Sequence, residues 1–251
     1  MIKFSIITVC FNSVNTICNC LDSLYSQNYS NYEHIIIDGG STDGTYQLIL
    51  KNKFKRTIIV TEPDNGIYDA LNKGLGLSTG DVVGFLHSDD FYNGREVLKK
   101  VSMVFHKNPD TSSVYGDLDY VSSGNVNKLV RSWKSSDFKI SKLKNGWMPP
   151  HPSFFVRRCW YKKINFFNSE FRISADYLSV IQLFSDPLFS SHYLPEVIVK
   201  MRVGGKSNNS LTNIYIKTFE DYRVLRLCGY KILSAVYTII CKNLSKIHQF
   251  L

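Results

Sequence analysis

Short apolar runs recur along the first part of the chain, and each closes on a polar turn. Phe4–Val9 (FSIITV) has the length of a strand and runs into the polar stretch Cys10–Asn15. Apolar positions then fall at Ile17, Leu21 and Leu24, the spacing of a helix face that Asn12 or Ser13 can cap. His34–Ile37 is a second strand. It ends at Asp38, and the turn Gly39–Thr45 leads into a helix around Tyr46–Leu50. Thr57–Val60 is a third strand, followed by the turn Glu62–Gly66, and Val82–Leu86 is a fourth, followed at once by Asp89 and Asp90. Strand, turn, helix, strand at this rhythm predicts an α/β fold: a mostly parallel central sheet flanked by crossover helices.

Ligands of open α/β sheets bind outside the carboxyl ends of the strands. Thr8, Asp38, Asp64 and Asp89 fall at such ends and are expected to converge. Adjacent carboxylates at Asp89 and Asp90 suit a divalent cation held against a phosphate, although an acidic turn has the same composition. Further along, Ser153–Val156 and Val197–Val203 read as strands and Tyr177–Phe184 as a helix. Asp176 opens that helix, the usual place of an N-cap. Trp147–Pro152 (WMPPHP) is a rigid aromatic loop. Its indole could stack on a sugar face, and His151 is either a structural histidine or one that orients a phosphate or hydroxyl.

Composition adds limits. At 251 residues and 44% hydrophobic content the chain holds one ordinary domain with a tail. The six cysteines form no C-x-x-C pair and no zinc spacing, which predicts reduced, mostly core thiols of a cytosolic protein without a signal peptide. The net charge of +9 calls for an anionic partner: nucleic acid, acidic lipid or a pyrophosphate compound. The cluster Lys51–Arg56 reads as a solvated face. The clusters after residue 131 flank aromatic and apolar residues and suit a membrane surface. Within Lys231–Leu251, Ile232, Val236, Ile240, Leu244, Ile247 and Leu251 draw a helical stripe too short to span a bilayer. Such a helix lies either on an anionic leaflet or against the domain.

Taken in order, SIITVCFNS (Ser5–Ser13), IIIDGGSTDGT (Ile35–Thr45), EPDNGIYDALNKG (Glu62–Gly74) and GDVVGFLHSDD (Gly80–Asp90) resemble the family 2 glycosyltransferases. HPSFFVRR (His151–Arg158), RISADYLSVIQLF (Arg172–Phe184) and VGGKS (Val203–Ser207) extend the resemblance to about residue 210, with the flavour of bacterial O-antigen, capsule or colanic-acid enzymes. It implies a GT-A fold over 1–210, with a nucleotide-sugar-binding half (1–100) and an acceptor-binding half (101–210). Residues 211–251 are then a helical, membrane-associating segment.

The implied activity is inverting transfer of a hexose from a UDP-sugar to a polyprenyl-diphosphate-linked saccharide at the inner face of the cytoplasmic membrane. Asp38 and the loop of the first strand, with Thr8 and Asn12, would hold base and ribose; Asp64 and Lys73 would complete the donor pocket. Asp89, with Asp90 as second choice, would bind Mn²⁺ or Mg²⁺. His87, counted with the donor-binding residues, stands where relatives carry the first Asp of their Asp-x-Asp motif; the change alters the ribose contact and favours Mn²⁺ through a softer ligand. Asp176 would be the general base, with Asp137, Asp117 and Asp119 as weaker candidates. Trp147 and His151 would meet the acceptor, and Gly205 and Ser207 would belong to a lid. A sugar-1-phosphate nucleotidyltransferase wants a Gly-rich basic loop after the first strand, which CFNSVNT is not. A nucleic-acid binder wants a recognisable motif, and none is present.

Overall fold

The structure, a computed structural model, describes residues 1–204 and 211–245. The chain runs β1 (Phe4–Cys10), α1 (Ile17–Tyr25), β2 (Tyr32–Asp38), α2 (Thr45–Asn52), β3 (Thr57–Thr61), α3 (Ile67–Leu77) and β4 (Val82–Phe85). It continues through β5 (Asp90–Tyr92), α4 (Val97–Lys107), β6 (Ser113–Val121), β7 (Leu129–Trp133), β8 (Phe154–Arg157), α5 (Arg158–Lys163), α6 (Ala175–Ser185) and β9 (Ser191–Arg202). Helices α7 (Leu211–Leu227) and α8 (Ile232–Leu244) close it.

The strands form one sheet in the order β3-β2-β1-β4-β8-β6-β9-β5, with β7 paired to β6. It is parallel from β3 to β4, as the rhythm of the sequence predicts. Beyond β4 it is mixed: β8 pairs antiparallel with β4 and β6, while β9 pairs parallel with β6 and antiparallel with β5. β1 and β2 are buried along their whole length because both faces of the sheet are covered. Alternation sends Ile7 and Val9 into one core with α3 and α6, and Phe4 and Ile6 into the opposite core with α1 and α4. The cysteines depart from expectation: Cys10 and Cys20 are buried, Cys159 is exposed, and the other three lie between.

Glu33 pins the amino-terminal rim. Its Oε1 accepts from the Ser5 hydroxyl (2.6 Å) and the Thr79 N–H (2.6 Å), and its Oε2 accepts from the Lys3 ammonium (2.8 Å) and the Thr79 hydroxyl (2.6 Å). Burial raises this carboxyl, but the bonds from Lys3, Ser5 and Thr79 outweigh it and hold the group at about 2. A depressed folded value gives stability that is present above the ordinary 4.5 and is lost as pH falls toward 2. Glu33→Gln is therefore expected to cost roughly 2–3 kcal/mol at pH 7, the scale of hydrogen bonds to a charged group. The gap in Tm from wild type should narrow steadily below pH 4.5; a constant gap would show that the charge is not what stabilises this corner.

Candidate active site

The carboxyl ends of β1, β2 and β4 share one edge, and their loops are bonded to one another. Asn12 sits at φ 51°, its N–H donates to Ser41 Oγ (2.8 Å), and its Oδ1 accepts from the Thr42 N–H (2.9 Å). Asp43 accepts from the Val14 N–H (3.0 Å), and Ser13 and Ser88 share a hydroxyl–hydroxyl bond of 2.8 Å. The turns after the first, second and fourth strands thus form one polar rim.

Two of the expected donor residues lie beneath this rim. Thr8 is fully buried, and its hydroxyl meets His34 Nε2 at 2.9 Å, so it belongs to the floor of the site. Asp38 is also fully buried and organises its own turn, with Oδ1 accepting from the Ser41 hydroxyl (2.5 Å) and Oδ2 from the Ser41 N–H (3.2 Å). Asp64 reaches further out. It accepts from the Gly66 N–H at 3.0 Å, and its Oδ2 occupies the space a Cβ on Gly39 would need. Only glycine at 39 lets that carboxylate approach the second loop. Lys73 is tied to Glu62 (2.9 Å) and Asp69 (3.3 Å) and donates to the Pro63 carbonyl, so it braces the 62–66 turn from below.

At the end of β4, Asp89 is half-buried and its carboxylate takes no hydrogen bond among the described residues. Its backbone carbonyl accepts from Arg202 (2.6 Å), whose other arm donates to Asn19 (2.9 Å). Asp90 differs from expectation. Pairing of β5 with β9 turns its side chain into the core, where it is fully buried with both oxygens unpartnered. Burial and then the charge of Asp89 push its carboxyl well above the usual range, against Arg202.

Asp176 stands in the first turn of α6, one step inside the helix, while Ser174 occupies the N-cap. Its Oδ1 accepts from the Tyr177 N–H (2.7 Å), and the single Tyr68 hydroxyl proton is shared between the Ile173 carbonyl (2.6 Å) and this oxygen (3.1 Å). The amino end of a helix favours a carboxylate there. The weaker candidates are differently placed: Asp117 is committed to the Ser135 N–H and the Tyr193 hydroxyl, Asp119 accepts from Ser132, and Asp137 is exposed.

Two imidazoles join the carboxylates. His151 stacks on Phe85 (5.1 Å between centroids) and lies 6.5 Å from His87 at a shallow angle. Burial lowers His87 while Asp89 and Asp176 both pull it up, so this ring lies within electrostatic reach of both acids. His87 Nδ1 and His151 Nε2 are buried without partners. Trp147 packs against Tyr115, Phe138 and Phe184, which makes it part of an aromatic cluster and takes it away from the role of sugar platform. Gly205 and Ser207 lie outside the described residues.

Among the described residues no three His, Cys, Asp or Glu side chains gather as a metal cage. The residues present nonetheless fit a cation of the Mg²⁺ or Mn²⁺ kind. Such ions take one or two carboxylates and complete their shell with phosphate and water, and Asp89 offers a half-exposed carboxylate on the rim.

Residues 5–174 match the family described as Glycosyl transferase family 2. The chain belongs to that family. It is 31% identical over 222 residues to the PGL/p-HBAD biosynthesis glycosyltransferase of Mycobacterium bovis BCG, covering 85% of this chain and 82% of the relative. It is 27% identical over 185 residues to the chondroitin synthase of Pasteurella multocida, covering 71% of this chain and 18% of that much longer protein. Among solved structures, S. aureus TarS 1-349 in complex with UDP-GlcNAc superposes with a TM-score of 0.70 at 20% identity, over 90% of this chain and 65% of that one. The mannosyltransferase PcManGT of Pyrobaculum calidifontis, in complex with GDP-Man and Mn²⁺, gives 0.67 at 17% identity, over 95% and 70%. At these identities the structures establish the shared GT-A fold.

Tyr68 and Arg202 were not legible as site residues in this family 2 enzyme. Tyr68 lies inside the motif Glu62–Gly74 but reads as one more core aromatic of a helix, and Arg202 reads as part of a surface strand. Their roles come from contacts more than a hundred residues away in sequence.

The histidines of the site supply a test. Burial lowers His34 to about 3 and His151 to about 4, against the partial pull of Asp176 on His151. A lowered folded value favours the neutral ring, so stability should be lost as pH drops from 6.5 toward 4. NMR of ring-labelled protein at pH 5.5 should show both imidazoles neutral. A protonated His151 at that pH would mean that its pocket is open to water.

Proposed function

We propose that this enzyme is an inverting, metal-assisted hexosyltransferase that uses a UDP-sugar donor. One observation carries the reading: the charges of Asp89, in the turn after β4, and of Asp176, in the first turn of α6, both act on the buried His87 ring. The donor diphosphate would lie at the Asp89 side, with Asn12, Asp64 and the rim turns around the nucleotide. Asp89 would hold a divalent cation, which would neutralise charge on the departing diphosphate. Asp176 takes the proton from the acceptor hydroxyl as that oxygen attacks the anomeric carbon, and the bond to the diphosphate breaks on the opposite face. Tyr68 braces the carboxylate, and His151, kept neutral by burial, and His87 wall the reaction space. TarS bound to UDP-GlcNAc, and PcManGT bound to GDP-Man and Mn²⁺, support a nucleotide-sugar donor and a divalent ion. The family match sets aside the nucleotidyltransferase and nucleic-acid alternatives.

The acceptor reading rests on α7 and α8. No helix of the described residues is long and apolar enough to cross a membrane. Yet Leu233 (85% exposed), Tyr215 (71%) and Phe219, Tyr237 and Ile240 face outward, around an apolar groove of about 320 Å³ lined by Tyr215, Phe219, Val236 and Ile240. Arg223, Arg226 and Lys231 are exposed on the same pair. An apolar face with a cationic rim fits an anionic bilayer surface. A polyprenyl-diphosphate-linked saccharide at the inner face of a cytoplasmic membrane is the acceptor this face would serve, in the synthesis of a bacterial surface polysaccharide.

Asp176→Asn keeps the shape but cannot take the proton, so kcat should fall by roughly 10²–10⁴. UDP binding by calorimetry with Mn²⁺ should match wild type, and EDTA should abolish turnover. Normal turnover by the variant, or a product with the donor's own anomeric configuration, would sink the mechanism.

The membrane surface has its own measurement. Wild type should float with vesicles containing anionic lipid, less so at high salt. The triple substitution Leu233→Ser, Tyr237→Ser, Ile240→Ser should stay in the soluble fraction without loss of Tm. If wild type ignores such vesicles, the acceptor is not reached from a bilayer by this face.

A further inference from the structure

Helices α7 and α8 lie beyond the residues matched by the family, yet they grip the segment that carries Asp176. Glu220 of α7 is buried and accepts three consecutive backbone N–H groups: Arg172 (2.9 Å), Ile173 (2.8 Å) and Ser174 (2.9 Å). Its neighbour Asp221, also buried, accepts from the Ser174 hydroxyl (2.8 Å) through one oxygen and from the Lys242 ammonium of α8 (2.8 Å) through the other. Ser174 is the N-cap of α6 but does not cap it with its side chain, because the hydroxyl is spent on Asp221. Lys242 is itself buried and sits 3.2 Å from the centre of the Tyr177 ring. From the other side, Tyr68 holds the Ile173 carbonyl and the Asp176 carboxylate.

The orientation of α8 adds weight. The helix faces Ile232, Leu233, Val236, Ile240 and Leu244 outward and buries Thr238 and Lys242 beside Ala235. Burying an ion pair costs several kcal/mol per ion, and a well-packed apolar pair does as well or better for stability. The pair Asp221–Lys242 is therefore poorly explained as a source of stability. What it does uniquely is fix the register of two helices against the residues that open α6. A displacement of about 1 Å in a catalytic group can cost 10²-fold in rate.

We propose that Glu220, Asp221 and Lys242 are positioning residues for glycosyl transfer, a buried charged latch that holds the Arg172–Ser174 segment and thereby aims the Asp176 carboxylate. The proposal rests on Asp176 being the general base. The latch touches neither donor nor acceptor; it acts through the backbone on which the base is mounted.

The test is a double-background experiment. Glu220→Gln, Ser174→Ala and the charge-neutral pair Asp221→Asn with Lys242→Met are made in wild type and in Asp176→Asn. Turnover is measured with UDP-sugar and acceptor, UDP binding by calorimetry, and folding by Tm. In wild type each change should lower kcat, by tenfold or more for Glu220→Gln and the pair, with UDP affinity within about twofold. In Asp176→Asn the same changes should alter the residual rate less than twofold, because no base remains to be misplaced. Equal losses in both backgrounds make the latch merely structural and overturn the proposal, as does unchanged kcat in wild type. Should Glu220→Gln not fold, the neutral pair and Ser174→Ala decide the question by the same comparison. If Asp176→Asn alone turns over normally, the base assignment falls and the latch falls with it. If that variant is crippled and the latch variants are not, only the latch falls.

Discussion

The parallel pairing of β1 between β2 and β4 is the constraint from which the site follows. Parallel neighbours must end on the same edge, and strands buried on both faces cannot end in apolar residues without covering that edge. The chain therefore leaves the sheet through polar turns, and those turns meet. Asn12, Ser41, Asp43, Ser13 and Ser88 knit three of them into one rim by direct hydrogen bonds. The antiparallel half of the sheet then delivers the rest. β8 lies next to β4 and follows directly on His151, while β9 pairs with β5 and ends at Arg202 under the Asp89 turn.

Within this frame the acids are sorted by environment. Asp38 and Asp90 are both fully buried, but the first has its oxygens filled by its own turn, whereas the second has no hydrogen-bond partner among the described residues and its carboxyl is pushed up by burial. Asp89 and Asp176 remain half-exposed, the first on the rim and the second steadied by a tyrosine and a helix amino end. Asp89 and Asp90 thus sit in different environments one residue apart, because Asp89 stays in the turn after β4 whereas Asp90 opens β5 and pairs with Met201 of β9.

Helix α8 turns Ile232, Leu233, Val236, Ile240 and Leu244 outward and its ion pair with Asp221 inward, while α7 buries Val224 and Leu225 in the core. One helix pair thereby carries an exposed apolar surface and an interior tied to the residues that open α6. The apolar stripe read from the sequence is real, at Ile232, Val236, Ile240 and Leu244 within the described residues, but it is not the face that packs on the domain. That face is made by Ala235, Thr238 and Lys242, with the Thr238 hydroxyl donating to the Lys144 carbonyl.

The sequence by itself determined the parallel half of the sheet, the crossover helices and the family. Those rest on local signals: apolar runs of strand length, helical spacing, and turn residues at their ends. It also marked Asp64, Asp89 and Asp176 as strand-end or helix-start acids. Only the tertiary structure decided which way each side chain points. Thr8 sits on the floor because β1 turns it toward His34, Trp147 is claimed by an aromatic cluster, and Asp90 is folded inward by β5. Tyr68, Arg202, Glu220 and Lys242 became visible only through partners far along the chain. Hydrogen bonds across such separations leave no periodicity in a sequence, since each partner alone looks like an ordinary core or surface residue.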